Sequence, residues 1–267
     1  MILALLVNII IFGAFLFGYV CVVFLIAQVR HDNSIMDIAY GPAFFLSALG
    51  TIWWTHTASL LPLLILALLG FWSLRLAVRI YTKNRGKSED ARYAAWRNEW
   101  IAHGYRYFFI RSFLQINLLQ GVIILLVALP FTIALTTPNN FSLTFLLAGC
   151  LLYCFGISFE SIADYQLDQF LARKRAGTES APLMVTGLFR YARRPNYFGE
   201  TLIWWGLAVI VLPLPFGYLG LISPLLITYI VTMVTGPMLE KIFLEKYPTE
   251  YRAYMDRTNY FIPWLPK

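Results

Sequence analysis

Three arginines, Arg190, Arg193 and Arg194, fall within five residues and run straight into Pro195 and Asn196 in the stretch GLFRYARRPNYFGETLIWWG, Gly187 to Gly206. A guanidinium group is a planar fork that binds phosphate oxygens in two places. Proline fits the first turn of a helix, so Pro195 predicts a helix start, and a helix N-terminus adds free N–H groups and partial positive charge. Together these features suit an anion such as a phosphate. The same charges would also serve as a cytoplasmic anchor for a membrane helix. Tyr197, Glu200 and the Trp204–Trp205 pair go beyond what anchoring requires.

A second set precedes it. Glu160, Asp164 and Asp168 recur at four-residue spacing, which puts three carboxylates on one helical face. They repel one another unless arginines, a hydroxyl-rich ligand or water meet them, and Arg190, Arg193, Arg194 and Arg257 are partners of the right type. Spacing leaves a ligand site and a salt-bridge network equally open. Asp37, Tyr40, Arg75, Arg79, Gln115, Asn117 and Gln120 lie in or beside other apolar runs, and ionisable groups at membrane depth mark a lined cavity or a site. His103 stands without partner ligands, so no metal site is expected. Cys21, Cys150 and Cys154 all sit in apolar runs, where a thiol behaves as a small hydrophobe, and no disulfide framework is implied. No G-x-G-x-x-G stretch occurs, which excludes a Rossmann cofactor holder.

The elements that must position these residues are membrane helices. The chain is 59% hydrophobic and 13% charged, with a mean hydropathy of +0.66, far from the composition of a soluble domain. Windows of about 20 apolar residues predict an all-α integral membrane protein of about seven helices: 3–28, 36–54, 59–80, 112–135, 142–163, 196–212 and 217–237. The first has no basic n-region and is expected to be a retained helix. All 21 Lys and Arg residues fall at Arg30, in Arg75–Arg111, in Arg173–Arg194 or in Lys241–Lys267. The connections Trp54–Ser59, Thr136–Phe141 and Pro213–Gly217 carry no charge. The positive-inside rule then places the N-terminus outside, the C-terminus in the cytoplasm and the polar chemistry on the cytoplasmic side. Basic flanks facing anionic headgroups account for the net charge of +7 without nucleic acid. The loop Tyr81–Arg111 mixes charges with aromatics and suits either an amphipathic interfacial segment or a solvated connector.

The Gly187–Gly206 stretch closely resembles the signature of the steroid 5-alpha-reductase C-terminal superfamily, in particular its bacterial DUF1295 branch, G-L-[FW]-R-Y-[ST]-R-[HR]-P-N-Y-F-G-E followed by W-W-G. Ala192 replaces the serine or threonine. The resemblance extends upstream to Glu160, Asp164 and Gln166, and downstream to Lys246–Tyr247–Pro248, Arg257–Thr258 and Phe261–Ile262–Pro263–Trp264. It is looser in the first half, through Asp37, Arg75 and Glu89–Asp90.

The resemblance implies one transmembrane domain over 1–267, with substrate-side helices in 1–135 and a cofactor-binding half in 142–267. It implies NADPH as cofactor, a bacterial inner-membrane location with a cytoplasm-facing site, and a lipophilic enone taken from the bilayer lipids as substrate. By carry-over, Asn196, Asp164, Glu200 and Tyr247 take the family's matching positions, with Glu160, Arg190, Arg193, Arg194, Tyr197 and Arg257 beside them. The Gln-Glu pair on helix two and the tyrosine on helix three of the eukaryotic steroid reductases are missing here, so the acceptor need not be a steroid. A carbonyl acceptor still needs a hydrogen-bond donor. Tyr40, Tyr81 and Arg75 are of the right type, with Asp37 as an orienting carboxylate. Tyr40 and Tyr81 equally suit an aromatic belt, and Asp37 with Arg75 a structural pair. Two other functions fit the same pattern: an S-adenosylmethionine-dependent methyltransferase resembling the isoprenylcysteine carboxyl methyltransferases, which share an Arg-His-Pro-x-Tyr signature, and a non-catalytic lipid-binding membrane protein. Arg194 in place of that histidine favours the reductase branch.

Overall fold

The computed structural model describes residues 1–137 and 140–266; Pro138 and Asn139, in the Thr136–Phe141 connection, and Lys267 lie outside the described residues. Among the described residues the main helices are α1 (Ile2–Arg30), α2 (Ile35–Thr55), α3 (Leu60–Asn84), α4 (Ala91–Ala102), α5 (Tyr105–Val127), α6 (Leu129–Ala134), α7 (Leu143–Arg175), α8 (Pro195–Val211), α9 (Gly217–Lys246) and α10 (Pro248–Arg257). No strand occurs among the described residues, and the protein is all-α. Helices α1, α2, α3, α5, α7 and α9 are each long and apolar enough to cross a bilayer. Helix α8, at 17 residues, lies at the short limit for a crossing.

Several boundaries differ from the hydropathy windows, for identifiable reasons. Helix α7 runs on to Arg175, beyond the expected end at 163, because Leu167, Phe170, Leu171 and Lys174 keep helical spacing after the apolar run stops. Helix α9 continues to Lys246 for the same reason, through Ile242 and Phe243. Helix α5 begins at Tyr105 and ends at Val127, where Pro130 opens the short α6. Hydropathy windows find greasy length; a helix goes on wherever its backbone bonds do.

The chain forms two compact units, Met1–Phe141 with Leu214–Leu219, and Ser142–Pro213 with Gly220–Lys267. In the first unit, α2 packs on α1 and α3. Backbone carbonyls there accept side-chain hydroxyls: Tyr19 Oη donates to Ala39 O at 3.0 Å and Ser73 Oγ to Gly41 O at 2.7 Å. The turn between α1 and α2 holds α4 in place. Asn33 N donates to Glu89 at 2.7 Å, and Arg97 grips the same carboxylate with two contacts of 2.8 Å. Helix α5 contains a π-helical turn, Ser112–Leu118, whose loosened Ser112 carbonyl accepts from Asn117 Nδ2 at 3.1 Å.

The second unit is built on the pairing of α7 with α8. Gly149 and Gly156 of α7 face Gly206 and Gly199 of α8 so closely that a Cβ on Gly156 would lie 2.7 Å from Gly199 O, and one on Gly199 2.6 Å from Glu160 N. Small residues bring the two backbones into contact, which is how helices gain packing energy where no hydrophobic force acts between them. Helix α9 carries a second π-helical segment, Ile230–Thr235. The chain after α10 returns to the segment that leads into α8, where Arg193 N donates to Asn259 O at 2.8 Å and Trp264 N to Tyr191 O at 3.0 Å.

Candidate functional site

Pro195 does occupy the first turn of α8. The segment before it is set by Gln166, whose Oε1 accepts from Leu188 N at 2.8 Å and fills the space over Gly187 that any side chain would need. This turn brings Arg193 and Arg194, but not Arg190, to the wall of a cavity of about 380 Å3 inside the second unit. Its walls are the last two turns of α7, the Pro182–Met184 loop, the start of α8, the end of α9 and one face of α10. The size falls within the range of ligand pockets.

Four cations line the cavity, Lys174, Arg193, Arg194 and Lys246, and no carboxylate is among its lining residues. All four rest on aromatic rings, three of them on rings that line the cavity itself. Arg194 lies over Phe243 at 5.2 Å, Lys174 over Phe170 at 5.6 Å and over Tyr247 at 5.4 Å, and Lys246 over Tyr247 at 5.4 Å. Cation–π contact orients a charge without neutralising it. The Arg194 Nε and Nη2 atoms are buried and have no hydrogen-bond partner. Arg193 is different. Its side chain bonds Glu240 at 2.7 Å, Thr258 O at 2.6 Å and Met255 O at 3.3 Å, lies over the Tyr260 ring at 5.4 Å, and is 9% exposed. Burial pushes the Tyr251 and Tyr254 hydroxyls above the usual tyrosine range, although Arg193 and Arg194 pull the other way, so both stay neutral donors at pH 7. Tyr254 donates to Phe189 O, and Tyr251 to Glu240 at 3.5 Å.

A second polar cluster lies in the first unit. Tyr93 Oη on α4 donates to Asp37 at 2.6 Å and accepts from Gln120 Nε2 at 3.4 Å, while Arg92 reaches the other Asp37 oxygen at 3.4 Å. Burial, then the Asp37 charge, raise the Tyr93 hydroxyl well above its ordinary value. Tyr40 packs its ring on Phe44 and Trp72 at 5.4 and 6.5 Å, Arg75 is half-buried on α3, and Tyr81 is 52% exposed.

The profile of the family described as "Protein of unknown function (DUF1295)" matches residues 23–258, nearly the whole chain and both polar clusters. The chain belongs to the DUF1295 family. It is similar to the "Uncharacterized protein C594.04c" of Schizosaccharomyces pombe, 28% identical over 270 residues that cover 90% of this chain and 73% of that protein. No solved structure matches it.

Within this DUF1295 chain, the cavity gathers Arg193, Arg194, Asn196 and Tyr247 of the expected cofactor residues. Tyr197 and Glu200, half-buried on α8, and Glu160 and Asp164, buried on α7, are not among the lining residues. Arg190, Arg257 and Asp168 are exposed. Sequence reasoning names Lys246 only as part of the resemblance, not as a site residue, and does not pick out Lys174, Tyr251 or Tyr254. The signal for the last two is the spacing of Tyr247, Tyr251 and Tyr254, which share one helical face. Tyr93 was missed as well; it belongs with Trp96 and Trp100 to an aromatic stripe at helical spacing, Tyr93 and Trp100 being buried.

Proposed function

We propose that this DUF1295 protein is a membrane-embedded NADPH-dependent oxidoreductase that reduces the carbon–carbon double bond of a lipophilic enone, on the cytoplasmic side of the membrane. The observation that carries the reading is the cavity of the second unit: cations parked on rings, buried Arg194 nitrogens without partners, and no lining carboxylate. A buried donor without an acceptor is costly, and a phosphate is the acceptor a guanidinium fork fits. The resemblance of the arginine segment to the reductase signature supports the same choice.

The donor set fits a phosphorylated dinucleotide. Arg194, Lys174 and Lys246 would hold phosphate oxygens, the Tyr247, Tyr251 and Phe243 rings offer flat apolar surface to a base, and Asn196 offers an amide donor and acceptor. When bound, the nicotinamide supplies the hydride. The chain must then polarise the acceptor's carbonyl and deliver a proton. Tyr40, Tyr81, Arg75 and Asp37 are the candidates, and Tyr93, a neutral hydroxyl held on Asp37, joins them. S-adenosylmethionine carries a sulfonium, and a pocket lined by cations without a carboxylate opposes it, which ranks the methyltransferase reading second.

Titration of detergent-purified protein with NADPH, followed by calorimetry, tests the proposal. Saturable binding, with NADPH oxidation against one of a panel of Δ4-3-ketosteroids, sterol intermediates and polyprenyl enones, is the expected result. Absence of saturable binding would overturn it, and methyl transfer from S-adenosylmethionine to a prenylated thiol acid would establish the second reading instead.

A further inference from the structure

The segment 258–266 is stitched along one side and bare along the other. Inward, Thr258 Oγ1 donates to Arg190 O at 3.4 Å, and Tyr260 Oη reaches Thr232 O at 3.0 Å and Val231 O at 3.3 Å on the π-helical segment. Phe261 meets the ring of Phe198, on the first turn of α8, at 5.8 Å. Outward, Ile262, Trp264 and Leu265 are 61%, 68% and 72% exposed, and Tyr191, Pro263, Trp264 and Leu265 line a shallow apolar groove of about 310 Å3.

Two observations say what covers this face. The first is depth. Trp264 is tied to Tyr191, four residues before the first residue of α8, and Phe261 to the first turn of that apolar helix, so the bare side chains lie level with its end. The second is charge. Arg257, which precedes the segment in the chain, and Arg190, whose backbone carbonyl accepts from Thr258, are both exposed. Aromatic and aliphatic side chains at a helix end with free arginines beside them match the headgroup layer of an anionic leaflet, where tryptophan prefers to sit and each basic residue adds attraction.

We propose that segment 258–266 is a monotopic anchor that seats Ile262, Trp264 and Leu265 in the headgroup layer of an anionic bilayer, with Arg190 and Arg257 on its phosphates. The anchor does not depend on which ligand fills the cavity. It has a consequence for that cavity, because the Thr258 and Asn259 carbonyls that begin the segment hold the side chain and backbone of Arg193.

The test uses the full chain with Cys21, Cys150 and Cys154 replaced by alanine, carrying Trp264→Cys or Leu265→Cys labelled with an environment-sensitive fluorophore, in vesicles of phosphatidylcholine with or without phosphatidylglycerol. Glu250→Cys, exposed on α10, is the aqueous control. At 264 and 265 the probe is expected to be quenched by lipids bearing a nitroxide near the headgroup and to be several-fold less sensitive to aqueous iodide than at 250. Adding phosphatidylglycerol should shift its emission to the blue, an effect that Arg190→Gln with Arg257→Gln weakens. Iodide quenching at 264 and 265 equal to that at 250 would overturn the anchor, and emission indifferent to phosphatidylglycerol would overturn its anionic specificity.

Discussion

Arg193 and Arg194 are adjacent, yet their environments assign them opposite work. Arg193 is spent inside the protein, with a carboxylate, two carbonyls and a ring. Breaking a buried ion pair strands its partner, at a cost of about 3 kcal/mol. Arg193→Ala is therefore expected to lower the thermal midpoint sharply, in the presence or absence of nucleotide. Arg194 keeps two buried nitrogens without acceptors beside the cavity. A charge-assisted contact contributes about 1.5 to 3 kcal/mol, so Arg194→Ala should weaken NADPH binding roughly ten- to a hundredfold with little change in the midpoint. Equal losses of affinity in the two variants, by calorimetry, would show that the division is wrong. Tyr93 adds a third case. Tyr93→Phe takes the 2.6 Å donor from Asp37 with almost no change in shape and should lower stability by about 1 to 2 kcal/mol. If Tyr93 also polarises the acceptor, turnover falls while NADPH affinity holds, because that contact strengthens in the transition state.

Helices α7 and α8 have no room between them. A Cβ on Gly199 would stand 2.6 Å from the backbone nitrogen of Glu160, where no flexible side chain can yield. Gly199→Ala must push the helices apart and should cost about 1 to 3 kcal/mol, read as a lower midpoint, whereas the same change at Gly18, with nothing within 4 Å of its Cβ, should be nearly silent. Helix α10 presents Tyr251 and Tyr254 to the cavity, with hydroxyls raised above the ordinary value of about 10. Below that pH the groups are protonated in both states and contribute no slope. Above it the unfolded chain ionises first and binds fewer protons than the native one, so stability falls as pH rises past about 10. Thermal midpoints between pH 8 and 12 should show this decline, and Tyr254→Phe should flatten it. An undiminished slope in that variant would assign the alkaline transition to other groups.

At the scale of the molecule, the positive-inside rule applied to the segregated charge predicts an odd number of crossings, with Arg30, both basic loops and Lys241 to Lys267 on one side. Six helices are plainly long enough, and α8 is the proposed seventh. A reporter after Lys267 is then expected in the cytoplasm, and cysteines replacing Thr57 and Tyr218 should react with an impermeant reagent from outside. Labelling of Tyr218→Cys only from the cytoplasm would remove α8 from the count. Membrane class, helix content and the position of the arginine segment were all legible in the sequence, because hydropathy, charge and the proline at a helix start are properties of consecutive residues. Helix ends past the apolar runs were less so, since amphipathic turns such as 164–175 hold together by what their greasy face meets. The division of labour among the arginines could not be read at all. Arg193 and Glu240 are 47 residues apart, the lysines that share Tyr247 come from α7 and α9, and Tyr93 finds Asp37 across 56 residues. Chain order carries residue type and local period, but whether a buried cation faces a carboxylate, a ring or an open cavity is set by which helices pack together, and only the tertiary structure decided that.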